Sequence, residues 1–181
     1  MAVNALITMM MTIAICNEED HLDDKLYGVL VHVDHMNDRK AYEKWLQKAC
    51  NSTGCSYILK RCYKNDNPML RPIIFVCLLG DERIVRQVMK RWRTSRVDVD
   101  SKGNPCLERM MHVLAEGDGI DAHQLPDMLE SLDDSKSSDK NDSVGVNDIG
   151  VNDMKDLLKA IGGTIWEDAS LQTMDYKLDS N

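Results

Sequence analysis

Between residues 26 and 115 the apolar positions switch back and forth between two periods. Leu26 to Val33 repeats every second residue, with Val29, Val31 and Val33 on one side, and this predicts a strand. Tyr42, Trp45, Leu46 and Ala49 then recur at i, i+3, i+4 and i+7. That is a single apolar stripe on a helix, with Asn37 or Asp38 placed to cap its start. Asn51-Ser52-Thr53-Gly54 supplies the stop, because Gly54 is free to take a positive φ. Cys55 to Tyr63 predicts a second strand, and Lys64 to Pro68 has turn chemistry. Ile73 to Leu79 is apolar on both faces, which places it in the middle of a sheet. Asp81 caps a second helix whose buried side is Ile84, Val85, Val88, Met89 and Trp92. Val97 to Asp100 predicts a short extended piece, and Ser101 to Pro105 a turn. Leu107 to Ala115 fits either period, since Leu107, Met110, Met111 and Leu114 also make a helical stripe.

The order β-α-β-β-α-β predicts an α+β fold, a ferredoxin-like sandwich with two helices on one face of an antiparallel sheet. It occupies residues 25–117, after an irregular N-terminal segment, 1–24. Residues 118–150 are rich in Asp, Ser, Gly and Lys and predict an acidic, disordered linker. An extra C-terminal helix is expected within 151–170, with Met154, Leu157, Leu158 and Ile161 as its stripe and Gly162-Gly163 as its end. Residues 171–181 are expected to be a fraying polar tail.

Composition narrows the function classes. The 181 residues allow one domain plus tails, and a 43% hydrophobic fraction allows one core. A formal net charge of -8 argues against a chain that coats nucleic acid with its whole surface. With one Phe, three Trp and five Tyr, a stacking platform for single-stranded RNA is disfavoured. Six cysteines occur with no Cys-x-x-Cys pair, so no structural zinc site is expected, and reduced thiols are the simplest reading. Cys50 and Cys55 flank a turn and would suit a disulfide only under oxidising conditions. The apolar run from Ala5 to Cys16 is too short to span a bilayer, and no basic residue precedes it as a signal peptide requires. Partners are therefore sought away from the membrane.

Three constellations carry chemistry. His32, Asp34 and His35 suggest a metal or an acid–base pair. Strand alternation, however, sends His32 and His35 to opposite faces, and leaves His32 beside Asp34 on what reads as a solvated side. Asp98-Val99-Asp100-Ser101-Lys102-Gly103 begins like a calcium loop, but Lys102 and Arg109 stand where ligands are needed. A turn with Asp98 and Asp100 on an exposed strand face is expected instead, as turn geometry or as a partner contact. Arg83, Arg86, Lys90 and Arg93 fall on one side of the second helix. They make either a surface for phosphates or an acidic partner, or an ordinary solvated face. The possible binding surface is thus Arg83, Arg86, Lys90, Arg93, Asp98 and Asp100. No catalytic motif, metal set or cofactor loop is found, and no enzyme activity or cofactor is expected.

Three blocks also resemble a known family. Leu30-Val31-His32-Val33-Asp34-His35-Met36, Leu78-Leu79-Gly80-Asp81 and Thr94 to Gly103 with the following Cys106 are similar to the C-terminal domain of the RWD domain-containing protein 3 family. The likeness runs from about Leu26 to Glu116. Met154 to Asp168 is similar to the last helix of the Prp3-type splicing-factor domain, where a Gly and a later Trp-acid pair also occur. The first resemblance implies a strand for Leu107 to Ala115, a non-enzymatic protein-binding module and a link to SUMO conjugation. It also implies residence in nucleus and cytoplasm. The family's N-terminal RWD domain, where the SUMO-conjugating enzyme is bound, is expected to be missing from this chain. The second resemblance implies RNA binding through the basic helix face.

Overall fold

The computed structural model describes residues 25–63, 71–108, 110–121 and 146–179. The elements follow as β1 (Lys25–Val33), α1 (Arg39–Asn51), β2 (Ser56–Cys62), β3 (Ile73–Gly80), α2 (Glu82–Thr94), β4 (Arg96–Val99), β5 (Pro105–Leu107), β6 (Met111–Asp121), β7 (Val146–Ile149) and α3 (Val151–Asp179). One sheet has the strand order β6-β1-β3-β2-β7, and β4 pairs with β5 in a separate ribbon. The run β6-β1-β3-β2 is antiparallel throughout and, with α1 and α2, gives the ferredoxin-like order. The β4–β5 hairpin is inserted before the last strand of that pattern.

Alternation along β3 explains its central place. Ile74, Val76 and Leu78 join a core with Tyr42, Leu46, Val85, Val88 and Trp92 of α1 and α2. Ile73, Phe75, Cys77 and Leu79 face a second core with Met154, Leu157, Leu158, Ile161 and Trp166 of α3. Helices therefore cover both faces. β1 obeys the same rule, with Val29, Val31 and Val33 toward the first core and Leu30 toward the second. Asp38 caps α1 by accepting from Ala41 N, and Gly54, at φ 77, follows the helix end. The strand reading of the ambiguous 107–115 region holds for β6.

The expected boundaries move in three places. β6 continues to Asp121, past the limit at 117. β7 lies inside the segment expected to be a disordered linker, paired in parallel with β2, and Ile149 is buried in the second core. Backbone pairing to a ready sheet edge orders four residues whose composition reads as polar. The helix runs to Asp179, beyond the tail expected from 171, with a break at Gly162 and Gly163. Trp166, Ser170 and Met174, all buried, fall four apart and give it a narrow inward stripe. The expectations for residues 1–24, for the Lys64–Pro68 turn and for the linker between 122 and 145 lie outside the described residues.

Trp166 is the piece that seats α3. A Cβ on Gly28 would come 2.9 Å from the Trp166 ring and collide with Ile120, and a Cβ on Gly162 would overlap the same indole. The two glycines make the room in which the indole lies.

Candidate interaction face

Asp81 starts α2 by accepting from Arg83 N and Ile84 N. Val85, Val88, Met89 and Trp92 face the sheet, so Arg83, Arg86, Lys90 and Arg93 are turned outward and all four are exposed. Arg86 is the most engaged of them. Its Nε donates to Glu82 Oε1 at 2.7 Å, and its guanidinium lies 5.1 Å from the Tyr27 ring centroid. The bond to Glu82 pushes the Arg86 pKa above its ordinary value. Beside the stripe, Arg91 Nη1 donates to Ser52 Oγ at 3.2 Å, just past the end of α1.

The sequence reading missed the other half of this face. Lys40, Lys44 and Lys48 are exposed on α1, spaced by four residues and opposite Tyr42, Leu46 and Ala49. The same periodicity that exposes the α2 stripe marks them. Arg39 is paired with the buried Glu43. Both helices pack on one side of the sheet, so a strongly basic layer crowns a chain of net charge -8.

The expectation of an exposed side chain is corrected for Asp98 and holds for Asp100. Asp98 is 4% exposed. Its Oδ1 accepts from Asp38 N at 2.8 Å and its Oδ2 from Asn37 N at 3.0 Å. Asn37 Nδ2 returns a bond to Val99 O at 2.7 Å. The carboxylate thus latches the hairpin onto the entry of α1. A register irregularity between Arg96 and Asp98 buries Val97 and Asp98 together, which simple alternation forbids. Asp100 is exposed and organises the turn. Its Oδ1 accepts from Lys102 N at 2.8 Å and Asn104 N at 2.9 Å, and Gly103 adopts φ 83. Hydrogen bonds from Asn104 and then Lys102 hold its carboxyl below the usual range. Latch bonds engage the Asp98 carboxylate and turn bonds that of Asp100.

Glu108 was also missed. It is buried, with Oε2 accepting from Tyr42 OH at 2.7 Å and Oε1 from Met110 N at 2.7 Å. Tyr42 OH in turn accepts from Trp92 Nε1 at 2.9 Å, and the two rings meet edge to face. Burial, then the Glu108 charge, pushes the Tyr42 hydroxyl pKa far up. No periodicity marks such a network, because its members lie on three separated elements.

His32 is 5% exposed, which corrects the expected solvated side. The C-terminal helix encloses that face, and the His32 ring stacks on His112 across the β1–β6 pair and tilts against Phe75. His35 Nδ1 lies 3.5 Å from Asp34 Oδ2. Among the described residues no group of three or more His, Cys, Asp or Glu side chains could hold a metal ion. Cys50, Cys55, Cys62 and Cys77 are buried thiols outside any disulfide among the described residues. The hydrogen bond to Cys55, then burial, raises the Cys50 pKa, and burial pushes Cys77 up to about 12. Among the described residues no helix is long and apolar enough to cross a membrane.

No protein-family model matches the chain. Curated relatives do. RWD domain-containing protein 3 of Homo sapiens is 33% identical over 95 residues, covering 52% of this chain and 33% of that protein. Its counterpart in Xenopus tropicalis is 32% identical over 94 residues, covering 52% of this chain and 32% of that protein. The Rattus norvegicus protein is 30% identical over 99 residues, covering 55% and 34% respectively. The chain spans about a third of the length of the curated relatives it matches. Over about half of its own length, this ferredoxin-like chain is similar to RWD domain-containing protein 3.

Proposed function

We propose that this chain is a non-enzymatic protein-interaction domain that docks an acidic partner on the outer surface of α1 and α2. The observation that carries the reading is the concentration of exposed cations there, Lys40, Lys44, Lys48, Arg83, Lys90 and Arg93, on a chain whose net charge is negative. Complementary charge steers encounter and selects partners more than it adds affinity. The reading extends to the regulation of SUMO conjugation, in nucleus and cytoplasm, as implied by the family resemblance of the blocks Leu30 to Met36, Leu78 to Asp81 and Thr94 to Gly103. RNA is the second reading, favoured by the same cations and by the likeness of Met154 to Asp168 to a splicing-factor helix.

The test is capture from nuclear extract with and without ribonuclease, comparing the parent with Arg86→Glu/Lys90→Glu. A protein retained by the parent after ribonuclease, and lost with the variant, supports the reading. Capture abolished by ribonuclease favours RNA. Capture that the variant leaves intact removes this face from consideration.

A further inference from the structure

Cations gather a second time, away from the outer helical face, at the end of the sheet where β1 gives way to α1. A pocket of about 200 Å³ is lined there by Arg39, Arg61, Arg71 and His35, with Asp34 the one carboxylate in its wall among the described residues. It shares Asp34, His35, Asn37 and Arg71 with a wider cleft of about 1070 Å³ that runs along the β4–β5 hairpin. Structural pairs use part of this charge. Arg39 bonds Glu43, and Arg61 Nη2 is 2.7 Å from Asp148 Oδ1. A guanidinium carries five N–H donors, more than the pair with Asp148 uses on Arg61. Arg61 Nε is shielded from solvent and has no acceptor among the described residues, a costly state for a donor. Arg71 is exposed at the mouth.

We propose that this pocket is a binding site for a phosphate monoester, with the remainder of the ligand lying along the hairpin cleft. Planar guanidinium forks match phosphate oxygens in pairs, and three of them around one small volume suit a dianion better than a single planar carboxylate. The pocket is too small for a drug-sized ligand but large enough for a phosphoryl group. A small rotation of the Arg61 side chain would bring its Nε to an oxygen of that group, an acceptor that the described residues do not supply.

The experiment is a titration followed by 1H–15N correlation spectra that include the arginine Nε–Hε signals. The probes are inorganic phosphate and a short phosphoserine peptide, with the unphosphorylated peptide and chloride at matched ionic strength as controls. Saturable shifts at Arg39, Arg61 and Arg71 are expected with phosphate and with the phosphopeptide only. Tighter binding of the phosphopeptide identifies a modified polypeptide as the source, and equal binding identifies free phosphoryl compounds. Arg71→Gln should weaken binding about tenfold, the scale of one charge-assisted hydrogen bond, with the backbone spectrum otherwise kept. Arg71→Lys should recover only part of the loss. Absence of saturable shifts, equal shifts with chloride, or binding unchanged in Arg71→Gln would each overturn the site.

Discussion

The two faces of the sheet are covered in different ways. The α1–α2 face is closed by helices that follow β1 and β3 directly, and buried polar groups latch it: Glu108 to Tyr42, Tyr42 to Trp92, and Asp98 to the start of α1. The α3 face is closed by a helix that arrives after every strand has been laid down. It is dominated by shape, with the Trp166 indole in the space left by Gly28 and Gly162, and Met154, Leu158 and Met174 fully buried. Local order along the chain and directional bonds define the first face. The second depends on long-range fit.

The sharpest way to break this comparison is Trp166→Ala. If the α3 face is integral to the fold, the loss of a buried indole should cost about 3–5 kcal/mol in one cooperative denaturant transition. An unchanged midpoint would show that α3 is an appendage and that the sheet stands on one face alone.

The next effect tests the latches. Asp98→Ala leaves Asn37 N and Asp38 N without their acceptor and should cost about 1–3 kcal/mol. Asp100→Ala, in the exposed turn, should stay within about 0.5 kcal/mol. Equal effects in urea titrations would erase the distinction drawn between the two acids.

A pH series sharpens it further. The folded Tyr42 pKa is raised by burial and by Glu108. The neutral hydroxyl is therefore favoured in the folded state, and its contribution is fully present below the ordinary value of 10.0. Stability should fall as pH rises above that value, because only the unfolded chain ionises easily. Tyr42→Phe should flatten this part of the profile while lowering stability at neutral pH. Identical alkaline slopes for parent and variant would argue against the network.

The smallest effect is expected on the outer surface. Lys44→Glu with Lys90→Glu should change stability by no more than about 0.5 kcal/mol, since neither residue packs inward. A larger loss in thermal unfolding would mean that these cations serve the fold rather than a partner.

The sequence makes the first face legible because its signals are local. The stripe through Tyr42, Leu46 and Ala49, the caps Asp38 and Asp81, and the doubly apolar β3 all stand within a dozen residues of what they organise. β7 escaped because two apolar residues in an acidic run are ordered by a sheet edge far away in sequence. Met174 escaped because Ser170 dilutes its stripe. The candidate site was half legible. The α2 cations follow from helical period, whereas Asp98, Glu108 and the pocket around Arg61 and Arg71 arise only when loops and strands converge. A carboxylate looks the same in sequence whether it latches a hairpin or faces water.

The late position of α3 also sets an order of events on the ribosome. Chain up to Asp121 already contains every strand of the antiparallel run, so a two-layer intermediate can assemble as it emerges. Its other face then presents Leu30, Phe75, Cys77 and Leu79 to solvent until synthesis reaches Met154 and beyond. During that interval the nascent domain is sticky on one side. A stall or premature stop between 121 and 151 would release a species that chaperones recognise by exposed apolar surface rather than by lack of fold.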